Sequence, residues 1–281
     1  MERFLTGKHA VVTGGTRGIG RAIAEQLLRA GAAVAICGRT QAPVDRAVAD
    51  LKQSTGGDAF GAVADVSNWD QVASFFASVE SRFGNLDVLV NNAGMSLPTR
   101  HVTADGIETV FATNHLGPFL LTNLLLPVLT ASAPARVVTV SSGVQAMAKI
   151  DFDDLQEVKS YSEIRSYNQS KLANLLFTYE LARRLKGTGV TANALEPGFI
   201  KTSLKVPFPF SLFSFMRGKP VDGARPTIFL ASSPEVEGVT ATFFNNKGVA
   251  TRSSPLSYDE DAAKRLWQVS AELTHLDATE A

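Results

Sequence analysis

Residues 9–21 read HAVVTGGTRGIGR, and this stretch decides the fold. An apolar run from His9 to Thr13 ends in a glycine cluster, and a helical pattern follows at once through Ile19, Ile23 and Leu27. A strand that passes through a tight glycine turn into a helix is the opening unit of a βαβ fold. Gly14, Gly18 and Gly20 give the spacing G-x-x-x-G-x-G. Glycines at these places permit the turn and let the backbone approach a pyrophosphate. Free N–H groups and the helix dipole favour negative charge there. Gly14, Thr16, Arg17, Gly18, Ile19 and Gly20 are therefore the candidate phosphate cradle of a dinucleotide site.

The same alternation continues outward. Strands are predicted at 9–13, 33–37, 59–64, 86–90, 136–140, 190–195 and 241–245. Helices are predicted at 18–30, 43–54, 68–83, 105–131, 162–186, 222–231 and 258–274. Val-rich strands separated by helices read as a parallel sheet covered on both faces. The expectation is a single α/β domain over residues 1–281: a Rossmann fold, doubly wound, with about seven parallel strands. The Ser/Pro-rich piece 251–257 reads as a surface loop. The stretch 203–220, SLKVPFPFSLFSFMRGKP, breaks the alternation. It reads either as buried core or as part of a substrate lid over about 199–219.

Composition narrows the function. Hydrophobic residues make up 45% and charged residues 19% of 281 residues, which excludes a disordered or fibrous chain. Lys and Arg (27) balance Asp and Glu (27), so no basic excess calls for nucleic acid or an anionic surface. A single cysteine, Cys37, lies in an apolar strand, and no intramolecular disulfide can form. No secretory leader or membrane span is read, and a cytoplasmic location is expected. The four histidines are scattered without ligand spacing, so no metal is expected.

The second strand ends at Gly38-Arg39-Thr40. An acidic residue there would bind the ribose 2′-hydroxyl of NAD. Arg39 can instead stack on adenine and pair with a 2′-phosphate, and Arg17 can supply a second charge. The cofactor expected is NADP(H) in preference to NAD(H). Further on, Tyr167 and Lys171 lie at i, i+4 on one helix face. Free tyrosine has a pKa near 10, and a neighbouring cation favours the phenolate. Such a pair can pass a proton to or from a carbonyl or alcohol oxygen.

At this point the chain resembles the short-chain dehydrogenase/reductase family over about residues 5–275. The matching elements come in the family's order. They are the glycine loop at 13–20, Asp65-Val66, Asn91-Asn92-Ala93-Gly94, Asn114, Ser141-Ser142, Tyr167 with Lys171, and Pro197-Gly198 followed by Thr202. The resemblance implies Tyr167 as acid/base, with Lys171 lowering its pKa and holding the nicotinamide ribose. It implies that Ser142 bonds the substrate carbonyl and that Asn114 holds a water linking Lys171 to solvent. Asp65 would meet the adenine amino group, and Asn92 and Ala93 would line the adenosine side. Asn91 would tie strands together. Pro197, Gly198, Ile200 and Thr202 would wrap the nicotinamide amide. Thr40, Val66 and Gly94 complete the expected cofactor set. Ser142, Val144, Tyr167, Phe199, Phe208 and Phe213 form the expected substrate set.

A narrower resemblance is to the retinol-dehydrogenase-like branch. It is carried by Asn114-His115-Leu116-Gly117, Asp154-Leu155-Gln156, Tyr161-Ser162 and Ser170-Lys171-Leu172-Ala173-Asn174. The 25 residues from Ser142 to Tyr167 also fit it. Three features depart from it: no N-terminal anchor is read, Pro118 stands where a histidine is expected, and Glu196 stands where a neutral or basic residue is expected. Tyr161 reads as packing or a pocket wall, His115 as a structural hydrogen bond, and Trp267 as packing or a subunit contact. The function implied is transfer of hydride between nicotinamide and a lipophilic aldehyde, ketone or alcohol. The alternative is a non-catalytic NADP(H)-binding regulator. A homodimer or homotetramer could form through helices 105–131 and 162–186.

Overall fold

The structure is a computed structural model that describes residues 4–201 and 218–276. Eight strands form one sheet in the order β3-β2-β1-β4-β5-β6-β7-β8. They are β1 (His9–Val12), β2 (Ala33–Gly38), β3 (Ala59–Val63), β4 (Val88–Asn91), β5 (Ala135–Val140), β6 (Val190–Leu195), β7 (Phe243–Phe244) and β8 (Ala250–Thr251). All neighbours are parallel except β7 and β8. The strand order reverses between β1 and β4, and a sheet of this kind opens its ligand crevice there, at the carboxyl ends of the strands. The expected Rossmann architecture is the one observed. The strand beyond the expected seven is β8, whose two residues are both exposed and show no apolar alternation.

The helices are α1 (Gly18–Arg29), α2 (Gln41–Thr55), α3 (Trp69–Phe83), α4 (Thr109–Phe111), α5 (Gly117–Ala131), α6 (Glu163–Arg184), α7 (Pro220–Ser232) and α8 (Glu260–Leu273). The period of two along the strands divides the core. Ala10, Val12, Val34, Ile36, Val88 and Val90 face Ile23, Leu27 and Leu230 of α1 and α7. Val11, Ala35, Cys37, Leu89 and Val137 face Phe75, Phe119, Leu125 and Phe177 of α3, α5 and α6. Both faces are thus covered, as continuous apolar strands require.

The predicted helix 105–131 is broken into three pieces. Residues 101–109 fold back in a short hairpin-like turn, and Val102 bridges Glu108. The buried Glu108 carboxylate accepts the N–H groups of Val110 (2.8 Å) and Phe111 (2.7 Å), capping α4. A π-helical turn, Ala112–Leu116, then leads into α5. Gly117 stands at that junction because a Cβ would collide with the carbonyl of Val66.

Helix α6 is buried almost continuously from Ser166 to Ala182. It lies between the sheet and α8, whose Ala263, Leu266 and Trp267 are buried. Trp267 therefore packs within the chain. Phe119 meets its ring at 5.0 Å and that of Phe177 at 5.7 Å. Phe119 is fully buried, so Phe119→Ala should destabilise the protein by about 3–5 kcal/mol, read as a lower urea midpoint. A loss below about 1 kcal/mol would show that this cluster does not hold α5, α6 and α8 together.

Candidate active site

The cleft begins where β1 ends. Thr13 is buried, and its hydroxyl oxygen accepts the N–H groups of Asn92 (3.0 Å) and Ala93 (2.9 Å). The Asn92 side-chain amide in turn donates to the Thr13 carbonyl at 2.8 Å. Thr13 so fixes the ends of β1 and β4 side by side across the crevice, a role that its position before the glycines did not disclose. Gly14 and Gly18 take φ of 65° and 59°, which favour glycine. A Cβ on Gly20 would collide with the Gly14 carbonyl and the Asn92 amide. Arg17 is the extended N-cap residue of α1, with no side-chain cap and no acidic residue in the first turn. The first N–H groups of a 12-residue helix are left for a ligand.

The cleft continues along the termini of β2 and β3. Arg17 and Arg39 both line the cleft and are exposed. Neither side chain forms an ion pair or hydrogen bond among the described residues. Thr40 is the exposed N-cap residue of α2, outside the cleft lining. Asp65 and Val66 line the cleft. One Asp65 oxygen accepts the N–H (3.0 Å) and hydroxyl (2.7 Å) of Ser67, closing a local turn. Asn92, Ala93 and Gly94 also line it. Asn91 donates to the Thr122 hydroxyl at 2.9 Å, so it ties β4 to α5 rather than strand to strand.

The other end of the cleft is lined by α6. The Ser162 hydroxyl caps this helix, accepting the Arg165 N–H at 3.4 Å. One turn further on, Tyr167 and Lys171 both enter the cleft, with the Lys171 nitrogen 5.5 Å from the Tyr167 ring centre. Ser141 donates to the Lys171 carbonyl at 2.8 Å, and Lys171 Nζ donates to the Val140 carbonyl at 3.1 Å. The helix is thereby sewn to the end of β5, where Ser142 stands beside the Tyr167 phenol. Burial pushes the Tyr167 phenol up to about 12, against a smaller lowering by Ser142. Burial also pulls the Lys171 ammonium down to about 8. In the protein alone burial sets the direction of the Tyr167 shift. The neutral phenol is the form that can give a proton.

Asn114 sits in the π-helical turn and is fully buried. Its Oδ1 accepts the Met95 N–H at 2.8 Å, and its Nδ2 donates to the Met95 carbonyl and the Ser170 hydroxyl, both at 2.9 Å. Ser170 donates to the Tyr167 carbonyl at 2.7 Å and so joins Asn114 to α6, a link not read from the sequence. A Cβ on Gly94 would lie 3.5 Å from both Asn114 Oδ1 and Lys171 Nζ, which brings these groups to one point. His115 turns away to meet Ser270 Oγ at 2.9 Å, and burial pulls its imidazole down to about 3.

Residues 95–98 form the wall beside Tyr167. Ser96 donates to Glu163 and Tyr161 donates to the Leu97 carbonyl, each at 2.8 Å. The cleft encloses about 490 Å³. At the end of β6, Pro197 lines it, Gly198 takes a φ of 81° against Asn246, and Ile200 bridges Gly218. Phe199 is 41% exposed, and Val144 lies in a 3₁₀ turn, Gly143–Met147. Thr202, Phe208, Phe213 and most of the expected lid lie outside the described residues. Among the described residues, no helix is long and apolar enough to cross a membrane, and no group of His, Cys, Asp and Glu could hold a metal.

The short-chain dehydrogenase family model matches residues 8–209, and the chain belongs to that family. Within it, the chain is 41% identical to human retinol dehydrogenase 14, over 95% of this chain and 86% of that one. It is 39% identical to bovine retinol dehydrogenase 12, over 96% and 87%. The chain is thus retinol-dehydrogenase-like. Among solved structures, an uncharacterised protein from Mycobacterium paratuberculosis superposes with a TM-score of 0.80 at 33% identity, covering 96% of this chain and 94% of that one. A Burkholderia cenocepacia short-chain dehydrogenase in complex with NADP gives 0.72 at 28%, covering 86% and 96%.

Proposed function

We propose that the protein is an NADP(H)-dependent carbonyl reductase or alcohol dehydrogenase acting on a lipophilic aldehyde, ketone or alcohol. The observation that carries this reading is one cleft with an uncapped, glycine-lined helix N-terminus at one end and Tyr167 with Lys171 at the other. When bound, the nicotinamide supplies or accepts the hydride. The protein's own groups do the rest. The Ser142 hydroxyl holds the substrate oxygen beside Tyr167, and the Tyr167 hydroxyl gives that oxygen its proton during reduction. Lys171, fixed by the Val140 carbonyl, holds the ribose hydroxyls and keeps a positive charge near the phenol. Gly14, Gly18 and Gly20 leave the α1 N–H groups open to phosphate, and Arg17 with Arg39 favours a 2′-phosphate. The retinol dehydrogenases among its relatives support an alcohol or aldehyde on an apolar carrier.

The test is NADPH consumption by the purified protein with a panel of lipophilic aldehydes and ketones, with NADH in parallel. Turnover with NADPH supports the reading, and tight NADPH binding without turnover on any member rejects it. The pH profile sharpens the assignment. With Tyr167 near 12, the acid is protonated throughout the neutral range, whereas Lys171 loses its charge as pH rises through about 8. Reduction should therefore hold level from about pH 6 to 7 and fall through about pH 8. Oxidation of the matching alcohol needs Tyr167 to accept a proton, so with the phenol near 12 its rate should still be climbing with pH above 8. A reduction rate that rises with pH would contradict these roles.

A further inference from the structure

Glu196 follows β6 directly and precedes Pro197, which lines the cleft. Alternation along the strand sets the side to which it points. Ala194 packs with Leu175, Tyr179 and Phe243 on the α6 side, whereas Leu195 packs with the cluster around α1 and α7. A period of two returns Glu196 to the α6 side, from which Tyr167 and Lys171 enter. Strands β5 and β6 are in register through Val140 and Leu195, so the residues that follow each strand meet at the sheet edge. Glu196 Oε2 occupies the space that a Cβ on Gly143 would take. Gly143 is the residue after Ser142, which stands beside the Tyr167 phenol.

The Glu196 backbone N–H donates to the Phe244 carbonyl at 3.0 Å. Its carboxylate, in contrast, forms no hydrogen bond or ion pair among the described residues. Burial pushes the carboxyl pKa up, and no cation among the described residues offsets it. A half-buried acceptor without a partner costs stability, and that cost is recovered when a ligand brings a donor. A hydrocarbon carbonyl compound brings none.

We propose that Glu196 is a specificity residue that accepts a hydrogen bond from a hydroxyl on the carbon next to the reacting carbonyl, so that the preferred substrates are lipophilic α-hydroxy carbonyl compounds. This rests on the reductase reading above and deepens it. Ser142 and Tyr167 hold the carbonyl oxygen, and Glu196, across Gly143, holds the neighbouring hydroxyl. The carboxylate takes no part in the proton or hydride transfer. Glycine at 143 is the residue that leaves room for it.

The experiment measures kcat/KM with NADPH for acetophenone and α-hydroxyacetophenone, in the natural protein, E196Q and E196L. A site built around a polar donor discriminates strongly against the analogue that lacks it. The natural protein should favour the hydroxy ketone by about tenfold or more. E196L should bring that ratio close to one while keeping acetophenone reduction within about threefold, and E196Q, which keeps an acceptor oxygen, should fall between. Equal losses on both ketones, or an unchanged ratio in E196L, would overturn the proposal and leave the reductase reading standing. NADPH binding with no turnover on either ketone or on the wider panel would overturn the two together.

Discussion

Replacing Tyr167 with phenylalanine should lower carbonyl reduction by about 10³-fold while leaving NADPH affinity within a few-fold. The substitution removes one oxygen and keeps the ring. Tyr167 enters the cleft beside Ser142, and its phenol is the neutral acid at pH 7 because burial holds its pKa near 12. Among the described residues, the other groups nearby are already engaged. The Tyr161 hydroxyl is committed to the Leu97 carbonyl, and Lys171 donates to the Val140 carbonyl. Affinity should survive because the phosphate cradle belongs to α1 and the lysine to its bond with β5, neither of which passes through the phenol. KM should change little, and the loss should fall on kcat. The same variant separates the two functions that the sequence leaves open. A regulator that merely binds NADP(H) would show no turnover to lose. Activity within tenfold of the natural protein would remove Tyr167 from the reaction.

What the sequence discloses depends on the reach of each interaction. The glycine turn after β1 and the Tyr167/Lys171 pair are local, so their spacing alone displays them. The Val-rich strands are as plain, because burial on both faces writes a continuous apolar run. Contacts that join distant segments leave no such mark. Thr13 is one threonine at a strand end, and its task becomes visible only when Asn92, 79 residues later at the end of β4, lies beside it. Asn114 matches a family position, yet its partners, Met95 and Ser170, come from a loop and a helix that the π-helical turn brings together. The α5 boundary fails for a similar reason. Leu116 and Phe119 keep a helical period, while the collision awaiting any side chain at 117 with the Val66 carbonyl is a tertiary fact. Strand β8 escapes because two exposed residues carry no pattern. The meeting of Glu196 with Gly143 likewise needs the register of β5 against β6.

The second large effect is expected at the other end of the cleft. Arg39→Asp should shift the ratio of NADPH to NADH affinity by about 10²-fold or more toward NADH. Gly38 ends β2 so close to the glycine loop that a Cβ there would lie 2.6 Å from Thr16 Cγ2. The next residue, Arg39, therefore stands on the cleft rim with Arg17, and neither guanidinium is engaged among the described residues. Losing one charge-assisted, forked contact to a phosphate costs about 1.5–3 kcal/mol, or roughly ten- to a hundredfold. The new carboxylate adds repulsion against a 2′-phosphate and offers an acceptor to a ribose 2′-hydroxyl. The two changes act in opposite directions on the two cofactors, so the ratio moves further than either affinity. Stability should hardly change, because Arg39 is exposed and forms no ion pair among the described residues. Arg17→Ala should weaken NADPH more modestly and leave NADH near its original affinity, since no acceptor is introduced. Equal weakening of both cofactors by Arg39→Asp would mean that the residue serves the adenine face rather than the 2′-phosphate. The preference would then have to come from Arg17 alone, and the double variant would measure it.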